Sequence, residues 1–437
     1  MDVVELSRLQ FAVTTSIHWL FTVLTLGLVP LVAVVHTRAA LARTPEKREL
    51  FERMARFWGQ LYVINYALGI VTGLVMEFQF GLNWSGLSKY AGNVFGAPLA
   101  LETMIAFFAE STFLGLWIFG WGRLRRGVHA ALIWLVALTA YASAYWIMVA
   151  NGFMQNPVGH EVRGGTAYLT DFGALLSNPN TLVALGHIAS AALVAGGLFM
   201  AGVSAYHFIR RTRHTAFFRG SLRLGVATAA LASLPLYPFG EAQLKEFAEQ
   251  QPVKAALFDG ALDRASRAAL EAAGGHAPPE WLWIPAKVMV DLGWVLSVAP
   301  LVALVLLPRD LLVRFRPTAW AMVALVPLPF AASVCGWLFR EIGRQPWLVY
   351  GELTVAEAVS DVSPAAVLVS LVLFSTVLGA LAVADWVLIA RSAHRGPEGV
   401  RLGAPEPEPA PWEDAVPEWL DSGPDGRSTA ATARRGT

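Results

Sequence analysis

The chain has 437 residues, of which 55% are hydrophobic and only 15% charged. Soluble domains carry about 25% charged residues, so the composition excludes an ordinary soluble domain and points to a polytopic membrane protein. The net charge of +1 gives no sign of a nucleic-acid partner, and the single cysteine, Cys335, excludes an internal disulfide and any cysteine-built zinc or iron–sulfur site. Nine apolar runs predict an all-α integral membrane protein with about nine transmembrane helices, at roughly 11–36, 57–80, 97–120, 127–150, 182–208, 220–239, 284–307, 317–339 and 364–391. The first run is longer than the apolar core of a secretory leader and no small-residue cleavage pattern follows it, so it reads as a spanning helix.

The loops between these runs alternate in charge. Arg38, Arg43, Lys47, Arg48, Arg53 and Arg56 follow the first run, and Arg123, Arg125 and Arg126 the third. Arg210, Arg211, Arg213 and Arg219 follow the fifth, and Arg309, Arg314 and Arg316 the seventh. The second loop has only Lys89 and the fourth only Arg163. Excess Lys and Arg marks cytoplasmic loops, so the N-terminus is expected outside and the C-terminus inside. Glu241 to Trp281 is then a long outside loop with helical runs and a break at Gly274, and loops of that length are usually functional or disordered. From Arg395 the chain is Pro, Glu, Gly, Ala and Arg with little to bury. The expected organisation is a membrane domain over 1–394, including an outer loop at 240–282, and a disordered cytoplasmic tail over 395–437.

Phe95 to Trp121 carries two carboxylates, Glu102 and Glu110, in a run long enough to span a bilayer. A charge at a membrane helix centre costs about 3 kcal/mol on insertion scales, which makes such residues functional candidates by default. On a regular helix the two lie roughly 12 Å apart along the axis and within about 80° around it. That suits a column of carboxylates facing the bundle interior. With the orientation above, His18, Glu77, Glu102, His187, Met289 and Glu341 fall toward the outer leaflet, Glu110 lies deeper, and His36, His129, His207 and His214 sit at the cytoplasmic interface. His and Met are haem ligands, and a His/Met pair is an arrangement of electron-transfer haems.

At these residues the chain resembles subunit I of the cytochrome bd-type quinol oxidases. SRLQFAVTTSIHW (7–19), MEFQFGLNW (76–84), FGAPLALE and FFAEST (within 95–112), ANGFMQNPVG (150–159), LGHIASA (185–191), KVMVDLG (287–293) and CGWLFREIGRQPW (335–347) carry the resemblance. It implies three haems, two of b type and one of d type or a third b haem. His187 and Met289 would hold the low-spin haem, with Lys287 nearby where the family commonly has Arg. His18 and Glu341 would hold the oxygen-reducing pair, with Trp337 between haems and Arg8 and Arg344 from the same motifs beside them. Glu102 and Glu110 would belong to the active-site region and proton path, which Ser111 and Thr112 would extend.

The outer loop resembles the short form of the family's quinol-binding loop, with Lys254 in place, Asp259 where Glu is usual, and Gly240-Glu241 where Gly-Asp is usual. The resemblance further implies a second large subunit, often a small single-helix subunit, location in the bacterial plasma membrane, and oxidation of quinol by oxygen with protons released outside and taken up inside. Two other readings of the residues stay open: a haem protein that only transfers electrons, and a proton-coupled transporter.

Overall fold

The computed structural model describes residues 1–260, 263–272 and 277–403. The Gly274 break, His276 and the tail from 404 onward lie outside the described residues. The elements are α1 (Val3–Leu41), α2 (Pro45–Leu82), α3 (Ser85–Leu101), α4 (Phe108–Phe119), α5 (Arg126–Gln155), β1 (His160–Arg163), β2 (Thr166–Leu169), α6 (Phe172–Leu176), α7 (Pro179–Ile209), α8 (Thr215–Gln250), α9 (Pro252–Phe258), α10 (Arg264–Ala272), α11 (Trp283–Leu306), α12 (Leu311–Arg314), α13 (Arg316–Ala324), α14 (Leu328–Ile342), β3 (Trp347–Val349), β4 (Leu353–Thr354), α15 (Val355–Ala358) and α16 (Pro364–Arg395). Among the described residues nine helical stretches are long and apolar enough to cross a membrane. The strands form two antiparallel hairpins, β1–β2 and β3–β4.

Local chemistry sets the helix ends. Asp2 and Glu5 form a reciprocal cap on α1. Thr44-Pro45, Asn178-Pro179 and Ser363-Pro364 place a capping side chain before a proline at the first turn of α2, α7 and α16. Gly396, at φ +71°, ends α16 in a conformation that suits glycine. Pro327 and Pro329 lack backbone N–H groups, and the eighth spanning stretch is correspondingly broken between α13 and α14.

Three expectations shift. The third spanning helix begins at Ser85, not near 97, because Ser88, Lys89 and Asn93 dilute the apolar signal without breaking the helix. Glu102 therefore sits midway along it rather than near its outer start. A π-helical turn over Glu102–Phe107 joins α3 to α4. Thr103 Oγ1 bonds to Leu99 O there (3.0 Å), and an i→i+5 turn winds less per residue, so the regular-helix angle between Glu102 and Glu110 does not hold. Third, α8 continues to Gln250, so the first ten residues of the expected outer loop, Glu241 included, are helical.

The interface histidines are also more enclosed than their positions suggest. His36 and His129 are buried, with Trp117 Nε1 donating to His36 Nδ1 (2.9 Å) and His129 Nε2 bonded to Trp117 O (2.8 Å). His207 is buried against Ala393 O (2.7 Å).

Helix α1 is the hub, packing against α2, α5, α7, α14 and α16. It meets α7 backbone to backbone: a Cβ at Gly27 would strike Ala192 O, and one at Gly196 would strike Gly27 O. The main core of Trp58, Tyr62, Phe21, Phe57 and Trp117 is fully buried, and Trp58 Nε1 finds Ser221 Oγ at 2.9 Å, as a buried indole requires.

Candidate functional site

Helices α1, α5, α7, α8, α11 and α14 converge on a polar region between two cavities. Glu341, on α14, is 9% exposed. Its Oε1 accepts from Asn151 Nδ2 (2.8 Å) and Gln155 Nε2 (3.3 Å), and its Oε2 accepts from Arg344 Nη2 (2.8 Å). Asn151 and Gln155 are four residues apart on α5 and so share a face. Arg340 precedes Glu341 and joins four helices: Nε donates to Asn151 (2.8 Å), Nη2 to Asn180 (2.7 Å) and Nη1 to Gln243 (3.2 Å).

Lys254 enters this network from α9. It is 1% exposed, which overturns any reading of it as a solvated loop charge. Its Nζ donates to Arg340 O at 2.9 Å and lies 3.8 Å from the centroid of the Phe247 ring. Desolvation, with Arg340 adding to it, pushes the Lys254 amine well below its ordinary value. Three basic side chains thus surround one carboxylate.

The smaller cavity is lined by Arg8, Thr15, Trp84, Trp337, Glu341 and Arg344, among others. Arg8 Nε, Trp84 Nε1, Trp337 Nε1, and Arg344 Nε and Nη1 are buried there with no hydrogen-bond partner among the described residues. All are donors. Buried polar groups are normally bonded, so this set fits a ligand that brings acceptors, such as the carboxylates of a porphyrin.

The larger cavity, about 300 Å³, is lined by Trp19, His187, Glu241, Met289, Trp337 and Arg340, among others. Trp337 lines both cavities, and its ring stacks on Trp19 at 4.7 Å and 15°. His187 Nδ1 bonds to Leu236 O (3.0 Å). A carbonyl only accepts, so the proton sits on Nδ1 and Nε2 keeps its lone pair. His18 is fixed in the same way: Thr72 Oγ1 donates to Gly69 O (2.7 Å) and so accepts from His18 Nδ1 (2.8 Å). His187 thus offers Nε2 to this cavity, whereas His18 lines neither cavity and its Nε2 lies 3.2 Å from Thr22 Oγ1. Met289, on α11, lines the same cavity as His187.

Each of these three side chains also lies against a glycine. A Cβ would meet His18 at 3.3 Å from Gly73, His187 at 3.3 Å from Gly240, and Met289 Sδ at 2.7 Å from Gly336. The glycines, like Arg340, Asn151, Gln155, Trp19 and Thr72, are site-building residues that the motif reading passed over. Asn151 and Gln155 were legible as an i,i+4 polar pair inside an otherwise apolar run.

The carboxylates of α3 and α4 form a second group. Glu102 accepts from Ser143 Oγ (2.7 Å) and faces Glu77. Glu110 is buried, with Tyr62 OH at 3.4 Å. Ser111 meets Tyr66, whereas Thr112 Oγ1 bonds its own backbone at Phe108 O (2.7 Å), as membrane hydroxyls often do. Two expected residues are not drawn in: Asp259 is exposed, and Lys287 pairs with Asp291 on an exposed face (3.1 Å). Glu241 reaches only the rim, exposed and 3.6 Å from Lys245.

Comparison with known proteins places the chain in a family. The family model for cytochrome bd terminal oxidase subunit I matches residues 6–275 and 272–397. The chain is 37% identical to cytochrome bd ubiquinol oxidase subunit 1 of Bacillus subtilis, over 91% of this chain and 95% of that protein. It is 43% identical to cytochrome bd-II ubiquinol oxidase subunit 1 of Escherichia coli, over 59% of this chain and 50% of that one. The bd oxidase structure from Geobacillus thermodenitrificans superposes with a TM-score of 0.81 at 26% identity, covering 91% of this chain and 99% of its own. The chain therefore belongs to the cytochrome bd terminal oxidase subunit I family, the haem-bearing membrane subunits of terminal respiratory oxidases.

Proposed function

We propose that this protein oxidises a quinol at the outer membrane face and reduces oxygen to water, within a complex that contains a second large subunit and a small single-helix one. As a member of its family it is part of a quinol:oxygen oxidoreductase. The carrying observation is that Lys254, from the outer loop, is buried and bonded to the backbone of Arg340, next to Glu341. The loop is thereby tied to the helix that bears a candidate iron ligand.

In this reading His187 and Met289 hold the low-spin b haem, and His18 and Glu341 hold the pair of b type and of d or b type. When bound, the haem irons supply electron transfer and oxygen binding. The chain's own residues do the rest. Lys254 orients the quinol oxygen, while Asp259 and Glu241, on the same outer side, are positioned to accept the protons released there. Arg8, Trp337 and Arg344 would hold the cofactor carboxylates, and Lys287, two residues before Met289, keeps its charge paired with Asp291. Glu102 and Glu110 hold protons on their way inward from the cytoplasm. With the N-terminus outside and the C-terminus inside a bacterial plasma membrane, release and uptake on opposite faces separate charge. The domain reading belongs to the same proposal: a membrane domain over 1–394, an outer quinol-binding loop at 240–282, and a cytoplasmic tail over 395–437, whose first residues are not disordered as expected, since Val400 and Leu402 pack on the main core and Arg401 N donates to Gln60 Oε1 (2.6 Å).

The test is an absorption spectrum of the purified complex with quinol-driven oxygen uptake. Three haem components with one oxygen-binding iron are expected. Low-spin bands alone, without a ligand-binding iron, would reduce the protein to an electron carrier.

A further inference from the structure

Helix α16 carries a carboxylate that nothing above uses. Asp385 is 0% exposed within this chain alone, and among the described residues neither Oδ1 nor Oδ2 has a hydrogen-bond partner. Among the described residues it belongs to no ion pair, and the buried Ser375 Oγ, ten residues earlier on the same helix, is also without a partner. An ionised carboxylate in apolar surroundings with nothing to bond is far costlier than its protonated form. A buried ionisable group inside a membrane is functional by default.

Register places it. α1 and α16 run in the same direction: Leu6 clusters with Val367 and Leu371, Ser370 Oγ donates to Gln10 Oε1 (2.8 Å), and further along Ile389 joins the cluster of Leu28, Val29 and Val32. That offset sets Ser375 level with Thr15 and Asp385 level with Thr25, on either side of the level of His18. Thr25 accepts from Asn65 Nδ2 (2.8 Å), and the other amide atom, Asn65 Oδ1, is again buried and without a partner among the described residues. Asn65 lies on α2, which packs on α16. Three unfilled polar groups thus follow the α1–α2–α16 seam past a candidate iron ligand, whereas Glu110 lies on α4, which packs on α5.

We propose that Asp385 is a proton-carrying carboxyl that serves the oxygen-reducing site along the α1–α2–α16 seam, separately from Glu110. The proposal rests on the oxidase reading above. In each cycle the acid O–H bond breaks, its proton passes toward the level of His18, and the carboxylate left behind takes a proton from the cytoplasmic end. No electron moves in this step.

The experiment uses the purified complex with wild-type chain, Asp385→Glu and Asp385→Asn. Infrared difference spectra between reduced and oxidised enzyme are recorded beside haem content, quinol KM and turnover. The wild type is expected to show a carboxylic-acid carbonyl signal that shifts in Asp385→Glu and vanishes in Asp385→Asn. Turnover should fall by about tenfold or more in Asp385→Asn, with haem content and KM retained, and recover in part in Asp385→Glu. A signal that is unchanged in Asp385→Glu, or wild-type turnover in Asp385→Asn, overturns the proposal. Should Asp385→Asn fail to assemble, the comparison of wild type with Asp385→Glu decides. If the wild type itself lacks haem bands, it is the oxidase reading that fails.

Discussion

Met289 owes its position to Gly336, whose missing side chain leaves room for the sulfur. Met289→Leu keeps volume and removes the thioether. It should turn the low-spin iron high-spin and lower its potential, and an unchanged reduced α-band would show that Met289 is not the ligand. Gly336→Ala should reproduce much of that spectral change with Met289 itself unaltered, because the new Cβ would lie 2.7 Å from the sulfur. Lys254 invites a different measurement. Lys254→Ala should raise the quinol KM at least about tenfold, the loss of a charge-assisted hydrogen bond, while oxygen uptake from an electron donor that bypasses quinol persists. Burial lowers the Lys254 pKa well below that of a free amine. The cation is therefore lost as pH rises through that lowered value, and quinol KM should climb with pH along a limb that Lys254→Ala lacks. A normal KM in Lys254→Ala would return it to a packing role.

At the scale of elements, the π-helical turn between α3 and α4 separates two carboxylates with different surroundings. Glu102 bonds Ser143 and faces Glu77, while Glu110 is buried beside Tyr62. Gln keeps the shape and hydrogen bonding of Glu but cannot exchange a proton. Glu102→Gln should lower haem content or shift the haem spectrum. Glu110→Gln should retain more haem yet slow the proton-coupled steps after oxygen binds, as read by rapid mixing of the reduced enzyme with oxygen. Full haem and wild-type turnover in Glu110→Gln would make it structural. Sequence made both residues visible because a carboxylate stands out in an apolar run. By the same logic Asp385 was visible too, within LAVADWVLI, but it lies outside any motif. The π turn was not legible, since no composition rule marks where a helix winds wider. Nor was the length of α3, whose polar first turns read as loop.

At the scale of the molecule, helix number followed from hydropathy alone, while the pairing of helices did not. That Arg340 would gather Asn151, Asn180 and Gln243 depends on packing between distant segments. Orientation, read from Lys and Arg in the loops, has its own test. In a Cys335→Ser background, Glu161→Cys in the β1–β2 hairpin should react with a membrane-impermeant maleimide in intact cells, and Arg213→Cys only after lysis. The opposite pattern would invert the topology. The crossing of α1 and α7 carries a further consequence. Gly27 and Gly196 touch there, and His18 and His187 each stand nine residues before their glycine, so both are about 13.5 Å up parallel helices from one shared pivot. The two helices act as equal arms of a pair of dividers. Any side chain added at the pivot spreads the points, and because electron tunnelling falls steeply with distance, Gly27→Ala should slow electron transfer between the haems proposed at His18 and His187 without altering either side chain.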